Sequence, residues 1–195
     1  MTAYRPTPTT HRNSPVVRTD DAYVAEATFE ETRGHRAYRY TLAVTRIVLG
    51  SVFMWAFIDK MFGLGYATPA KGAWIDGGSP TAGFLGHATA GPFADFYQSF
   101  AGAAWADALF MAALFGIGLA LILGVTMRIA AVSGVTLLLM MWSAVLPPAN
   151  NPVLDDHIVY ALVLVILVLA SAGRTFGLGR IWERRPLVNR FGALR

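Results

Sequence analysis

Four long apolar runs dominate this chain of 195 residues and limit what it can fold into. They cover residues 40–62, 105–125, 127–146 and 153–172. A helix of about 20 residues is about 30 Å long, which matches the hydrocarbon core of a bilayer. Because backbone N–H and C=O groups cannot stay unpaired in lipid, each run is expected to be helical. The sequence therefore predicts an all-α fold, a four-helix transmembrane bundle.

The composition agrees with a membrane protein and excludes several kinds of chemistry. Only 14% of the residues are charged, whereas soluble domains carry about 25%. The absence of cysteine excludes disulfides, thiolate metal sites, iron–sulfur clusters and a cysteine nucleophile. The net charge of +4 fits the arginine excess of cytoplasmic loops. We expect membrane lipids and no nucleic acid as partners.

The basic residues predict the domain organisation and the orientation in the membrane. A polar tail (1–38) precedes the four-span domain (39–173), and a basic tail (174–195) follows it. Both tails carry arginines next to the apolar runs, but the connections 64–104 and 147–152 contain a single basic residue, Lys71. The positive-inside rule then predicts a multi-pass protein with cytoplasmic termini. Abundant arginine over lysine suggests a GC-rich bacterium, and hence the bacterial cell (inner) membrane.

The connection 64–104 is long for a loop and predicts structure of its own. Gly77-Gly78 marks a turn, and Ser79-Pro80 is typical of a helix start, which predicts a short helix over 81–90. Pro92 opens a second short segment rich in Phe and Tyr. Since both are too short to span, we expect interfacial helices over the outer mouth of the bundle.

Ionisable residues from three runs fall at one predicted depth, near the outer leaflet. They are Asp59-Lys60, Asp107 and Asp155-Asp156-His157. Such residues usually face a bundle interior, a water cavity or each other. We therefore predict a polar pocket, with catalytic candidates Asp59, Lys60, Asp107, Asp156 and His157. Lys60 is a candidate counter-ion, and imidazole exchanges protons near neutral pH.

Each of these residues also has a structural explanation. Aspartates at helix starts are stabilised by the helix dipole, which accounts for Asp107, Asp155 and Asp156. Asp59 and Lys60 are explained as an interfacial pair with a snorkelling lysine. His157 is explained as a hydrogen-bonded helix residue.

Aromatic residues lie near the same predicted interface. Trp55, Trp74 and Trp142 are candidates for the wall of a site that binds a flat ring, although an aromatic belt at the membrane surface explains them equally.

Two other features concern packing within the bundle. Arg46 lies inside the first run, where it either snorkels to the inner surface or pairs with an acid or a lipid phosphate. Small residues recur at every fourth position of the second run (Ala104, Ala108, Ala112, Gly116, Ala120 and Gly124). They predict a close helix–helix seam inside the bundle or, alternatively, toward another subunit.

Three motifs resemble the DoxX/DoxD family over residues 40–180. They are the Trp-x-Phe-x-Asp-Lys end of the first run (55–60) followed by Phe-Gly-Leu-Gly, the loop 73–85, and the segment 147–157, which ends in Asp-Asp-His.

The resemblance implies a function linked to quinone. The DoxD branch is the large subunit of a thiosulfate:quinone oxidoreductase. A similar role implies a subunit of a respiratory redox complex that passes electrons from a reduced sulfur compound or a partner to quinone as substrate, together with other membrane subunits. No metal or haem is predicted, since bis-histidine ligation needs a second histidine within the spans besides His157. The alternative is a non-catalytic accessory subunit of a larger respiratory assembly, so enzymatic activity stays open.

Overall fold

A computed structural model describes residues 19–149 and 151–194 of the chain, with side chains described for 32–149, 151–188 and 190–194. The chain divides into two compact units, Met1–Ala37 and Tyr38–Arg195. The packing discussed below is that of Tyr38–Arg195. The described part of the chain is helical and contains no strand, which confirms the predicted all-α class.

The helices follow one another with short connections, except for the long loop after the first. They are α1 (Thr19–Phe62), α2 (Ala82–His87), α3 (Ala94–Gln98), α4 (Ala104–Leu123), α5 (Met127–Ala144), α6 (Asp156–Leu169), α7 (Gly179–Trp182) and α8 (Pro186–Arg190). Single 3₁₀ turns occur at Ala70–Gly72, Trp74–Asp76, Gly91–Phe93, Ala172–Arg174 and Gly192–Leu194. The predicted interfacial helix over 81–90 is thus shorter than expected.

Three helices in the described ranges are long and apolar enough to cross a membrane. They are Thr32–Phe62, Ala104–Leu123 and Met127–Ala144. The fourth predicted run corresponds to α6, whose 14 residues reach only about 21 Å at 1.5 Å per residue.

The late start of α6 has a local cause. Asn151 Oδ1 accepts hydrogen bonds from the backbone N–H groups of Val153 and Leu154, both at 2.9 Å. This turn holds the chain outside the helix. Asp155 then accepts the N–H groups of His157 and Ile158 and caps α6. The helix therefore begins three residues after the start of the predicted run 153–172, because the asparagine side chain stabilises a turn there.

The apolar core lies between α1, α4, α5 and α6, and α5 packs against both α4 and α6. Its most deeply buried side chains include Met111, Leu121, Leu164 and Leu167. Long side chains therefore fill the middle of the helix group.

Two glycines set the closest approach of α1 and α4. A Cβ on Gly118 would lie 2.9 Å from the backbone nitrogen of Met54, and one on Gly50 would lie 2.9 Å from Leu121 Cβ. Neither position accommodates a larger side chain without a shift of backbone or core.

The predicted seam of small residues differs from this contact. Its first four members, Ala104, Ala108, Ala112 and Gly116, are exposed, and a Cβ on Gly116 would meet nothing within 4 Å. A row with period four drifts around a helix of 3.6 residues per turn. Only its last two members, Ala120 and Gly124, are buried.

Arg46 is completely buried and joins three parts of the fold. Its Nη1 donates to the carbonyls of Leu121 (2.5 Å) and Ile122 (3.2 Å). Its Nη2 donates to the carbonyls of Phe176 (2.9 Å) and Thr175 (3.3 Å). The first two belong to the last turn of α4, where carbonyls lack helical partners and the helix dipole is negative. Neither predicted alternative, snorkelling or pairing with an acid, is observed among the described residues.

We expect substitutions at the two glycines of α4 to separate in their effect. Gly118→Ala should lower the free energy of unfolding by about 1–3 kcal/mol, because the added methyl group overpacks the contact with α1. Gly116→Ala should be neutral or stabilising by up to about 1 kcal/mol, because alanine favours the helix and the site is open. Thermal unfolding in detergent, followed by tryptophan fluorescence, measures both. Equal melting temperatures for the two variants would contradict this packing.

Candidate functional site

The loop 63–103, which we call the lid, lies on one end of the helices, which we call the loop end. Ala73 and Thr81 of the lid are buried, and Trp74 packs against the apolar core. Tyr97 is buried, and its hydroxyl lies 2.6 Å from Ser143 Oγ at the end of α5. The lid is therefore a packed layer of the fold.

Asp59 holds the beginning of the lid. Its carboxylate is only 1% exposed. Oδ1 accepts the backbone N–H of Tyr66 at 3.3 Å, and Oδ2 accepts that of Ala67 at 3.0 Å. Since both carboxylate oxygens bind the lid backbone, Asp59 stabilises the turn that follows α1.

Asp107 holds the middle of the lid. It is 5% exposed, and its Oδ1 accepts hydrogen bonds from Ser79 Oγ (2.9 Å), Thr81 N (2.9 Å) and Thr81 Oγ1 (2.6 Å). Thr81 Oγ1 in turn accepts the N–H of Gly102 at 3.1 Å. One carboxylate at the start of α4 thus binds two distant parts of the lid.

The sequence pattern predicts a helix start at Ser79 and Thr81, which also lie in the loop 73–85. Ser79 Oγ does accept the N–H of Ala82 at 3.1 Å, which is a capping type of bond. Their second role, as donors to Asp107, depends on a contact across 28 residues. No local pattern signals it.

Asp155 and His157 form a pair at the start of α6. His157 Nδ1 lies 2.8 Å from Asp155 Oδ2, and these side chains are 19% and 13% exposed. Asp156 is 69% exposed, with Oδ1 3.5 Å from the same nitrogen. A carboxylate on Nδ1 orients the ring and leaves Nε2 for another partner. Asp155 was in the predicted cluster but not among the catalytic candidates.

The same three residues offer ligand atoms within 4.8 Å of one another. Helix capping and the hydrogen bond between Asp155 and His157 account for this spacing without an ion.

Lys60 and the tryptophans lie around the loop end in separate surroundings. Lys60 Nζ is 6.0 Å from the centroid of the Phe110 ring, and no carboxylate among the described residues lies within ion-pair distance of it. Trp55 is 47% exposed and packs edge-on against Tyr66. Trp142 donates from Nε1 to the carbonyl of Val153 at 2.7 Å. Trp74 alone of the three tryptophan candidates packs into the core.

The candidate residues therefore form three clusters in the part of the chain that the structure describes. Asp59 binds the first turn of the lid, Asp107 binds Ser79 and Thr81, and Asp155 binds His157. No hydrogen bond within the described ranges joins one cluster to another. Two clusters anchor the lid, and in the third Asp155 both caps α6 and holds the partly exposed His157 ring.

Comparison of the chain with protein-family models, with curated proteins and with solved structures gives no significant match.

We expect Asp107→Asn to loosen the lid. The substitution removes the charge that strengthens three hydrogen bonds, and bonds to charged groups contribute about 1.5–3 kcal/mol each. Amide hydrogen exchange over residues 79–87 should accelerate about tenfold or more. Asp76→Asn, at an exposed position of the same lid, serves as the control and should leave exchange unchanged. Unchanged exchange in Asp107→Asn would show that this carboxylate does not anchor the lid.

Proposed function

We propose that the chain is a DoxX-like integral membrane subunit of a quinone-linked redox complex, similar in role to the large subunit of thiosulfate:quinone oxidoreductase. The observation that carries the proposal is the Asp155–His157 pair, with its hydrogen bond of 2.8 Å and its partial exposure. The family resemblance of the sequence motifs supports it. Quinone is the proposed substrate, and other membrane subunits are the proposed partners.

The chemistry of quinone reduction explains why such a pair is useful. Reduction of a quinone to a quinol consumes two electrons and two protons. An imidazole held by a carboxylate can donate a hydrogen bond to a quinone oxygen, transfer its proton and take up another from water. The exposed Asp156 lies beside the ring and is a suitable proton carrier to solvent. In this proposal the electrons come from a reduced sulfur compound or a partner subunit, as the family resemblance implies.

The proposed architecture is a four-span bundle in the bacterial inner membrane, with both tails in the cytoplasm. Apolar residues flank α6 at both ends: Val153 and Leu154 before it, and Ala170 and Ala172 after it. They lengthen the apolar segment toward the thickness of the bilayer. The lid and the Asp155–His157 pair then face the periplasmic side.

A second candidate function is that of a non-catalytic accessory subunit. The specific observation that favours it is the use of Asp59 and Asp107 as lid anchors, since their buried oxygens already accept hydrogen bonds from the chain. Carboxylates that already bind the protein backbone stabilise the fold, which is the role expected in an accessory subunit. The exposed small residues of α4, from Ala104 to Gly116, suit contact with a neighbouring subunit.

Substitution of the histidine tests the catalytic proposal. In membranes that contain the chain, His157→Gln should lower thiosulfate-dependent quinone reduction by about 10²-fold or more, because general acid–base groups typically contribute 10²–10⁴-fold. His87→Gln, at an exposed histidine of α2, is the matched control and should retain the rate.

Protein levels are measured in the same membranes. Normal rates in His157→Gln at normal protein level would refute the catalytic role. Stable co-migration of that variant with cytochrome subunits in mild detergent would then favour the accessory function.

The absence of native cysteine makes single-cysteine labelling a direct test of orientation. In spheroplasts, a membrane-impermeant maleimide should label Lys71→Cys in the lid. Arg184→Cys in the C-terminal tail should react only after permeabilisation. Both positions are exposed. The opposite pattern would reverse the topology, and labelling of both from outside would mean an even number of spans between them instead of the three proposed.

A further inference from the structure

A cavity of about 290 Å³ opens at the end of the helices opposite the lid, which we call the tail end. It lies between α1 and the segment that follows α6. Three arginines and two hydroxyl side chains line it, together with apolar groups; the principal lining residues are Arg39, Leu42, Ser171, Arg174, Thr175 and Arg180.

The charge of this cavity is strongly unbalanced. Among the residues that the structure describes, its lining contains three guanidinium groups and no carboxylate. Arg174 is paired with Glu183, with nitrogen–oxygen distances of 3.0–3.1 Å. Hydrogen bonding to Glu183 raises the pKa of Arg174 above its ordinary value. Glu183 lines a neighbouring cavity instead of this one, so its charge offsets Arg174 alone.

The other two arginines retain donors for a ligand. Arg39 reaches Thr175 Oγ1 only at 3.4 Å, from both Nε and Nη2, which is at the weak limit of hydrogen bonding. Arg180 is exposed and makes no hydrogen bond or ion pair among the described residues. Two guanidinium groups therefore face the cavity with most of their five N–H donors unused.

The surroundings of the cavity indicate the class of ligand. Planar guanidinium forks match the oxygens of a phosphate group and bind it with two hydrogen bonds each. Leu42 and Ala170 add apolar surface at the membrane side. Arg39 precedes the buried Arg46 by two helical turns, about 10 Å along α1 toward the tail end. Basic pockets at the ends of membrane helices bind anionic headgroups in this way.

We propose that Arg39, Arg174 and Arg180 form a binding site for a phosphate group, carried by an anionic phospholipid or by a soluble phosphate compound. This site is independent of the proposed quinone chemistry, since it lies at the other end of the helices.

The test uses the full chain purified in a nonionic detergent and analysed by native mass spectrometry. Dioleoyl phosphatidylglycerol and inorganic phosphate are the two probes, and phosphatidylcholine is the reference lipid. The double variant Arg39→Gln/Arg180→Gln should lose phosphatidylglycerol affinity by about 25-fold, since each arginine near an anionic surface contributes about fivefold. Phosphatidylcholine binding should not change.

A matched variant separates a built site from general basic charge. Arg184→Gln/Arg185→Gln removes the same two charges from exposed positions outside the cavity and should retain the affinity. The Arg180 side chain makes no hydrogen bond or ion pair among the described residues. Arg180→Gln alone should therefore fold normally and lower phosphatidylglycerol affinity by about fivefold. In another outcome, the cavity variants weaken the binding of inorganic phosphate, the control variant does not, and phosphatidylglycerol does not bind. That result would support the phosphate site and identify its ligand as soluble.

Two results would overturn the proposal. One is an equal loss of phosphatidylglycerol affinity in the cavity double variant and the control double variant, which would show that only net charge matters. The other is the absence of specific binding of either probe by the unaltered protein.

Discussion

The fold depends on the hydrogen bonds of one buried cation. Arg46 lies inside the first membrane-length helix, where an isolated charge is costly by roughly 2.5–3.5 kcal/mol on insertion scales. The cost is offset because the guanidinium group donates to four backbone carbonyls, two at the end of α4 and two beyond α6. The two carbonyls of α4 lie in its last turn, where no later N–H of the helix can reach them. Arg46 therefore supplies the hydrogen-bond donors that they lack, and the negative end of the helix dipole stabilises the cation. The remaining terminal carbonyl of α4, that of Leu123, accepts the N–H of Leu178 at 2.8 Å.

Glycines make this arrangement possible. Gly124 ends α4 with a positive φ of 71°, a conformation that glycine adopts without strain. A Cβ at the same position would collide with the Arg46 guanidinium group. Gly124 therefore ends α4, and its lack of a side chain leaves room for the Arg46 guanidinium group.

The two ends of the helices have different chemistry. At the loop end, the buried carboxylates of Asp59 and Asp107 bind the lid, and the partly buried Asp155 carboxylate binds the His157 ring. At the tail end, arginines outnumber acids around the larger cavity.

Hydropathy and residue type alone determined the helical class, the presence of a structured lid and the exclusion of cysteine chemistry. They also predicted four spans, of which three are helices of membrane length. These properties depend on a residue and its near neighbours, and helix periodicity is local. Tertiary structure decided the partners: Asp107 with Thr81, Arg46 with the end of α4 and the segment after α6, and Gly50 with α4. It also formed the arginine-lined cavity. Asn151 shows that prediction is limited even over a few residues. An asparagine side chain can cap a helix or stabilise a turn, and the sequence does not show which backbone N–H groups it will bind. The hydrogen bonds of Asp107 and Arg46 join residues 26 to 130 positions apart. They form only once the fold brings distant parts of the chain together, and no local pattern predicts that.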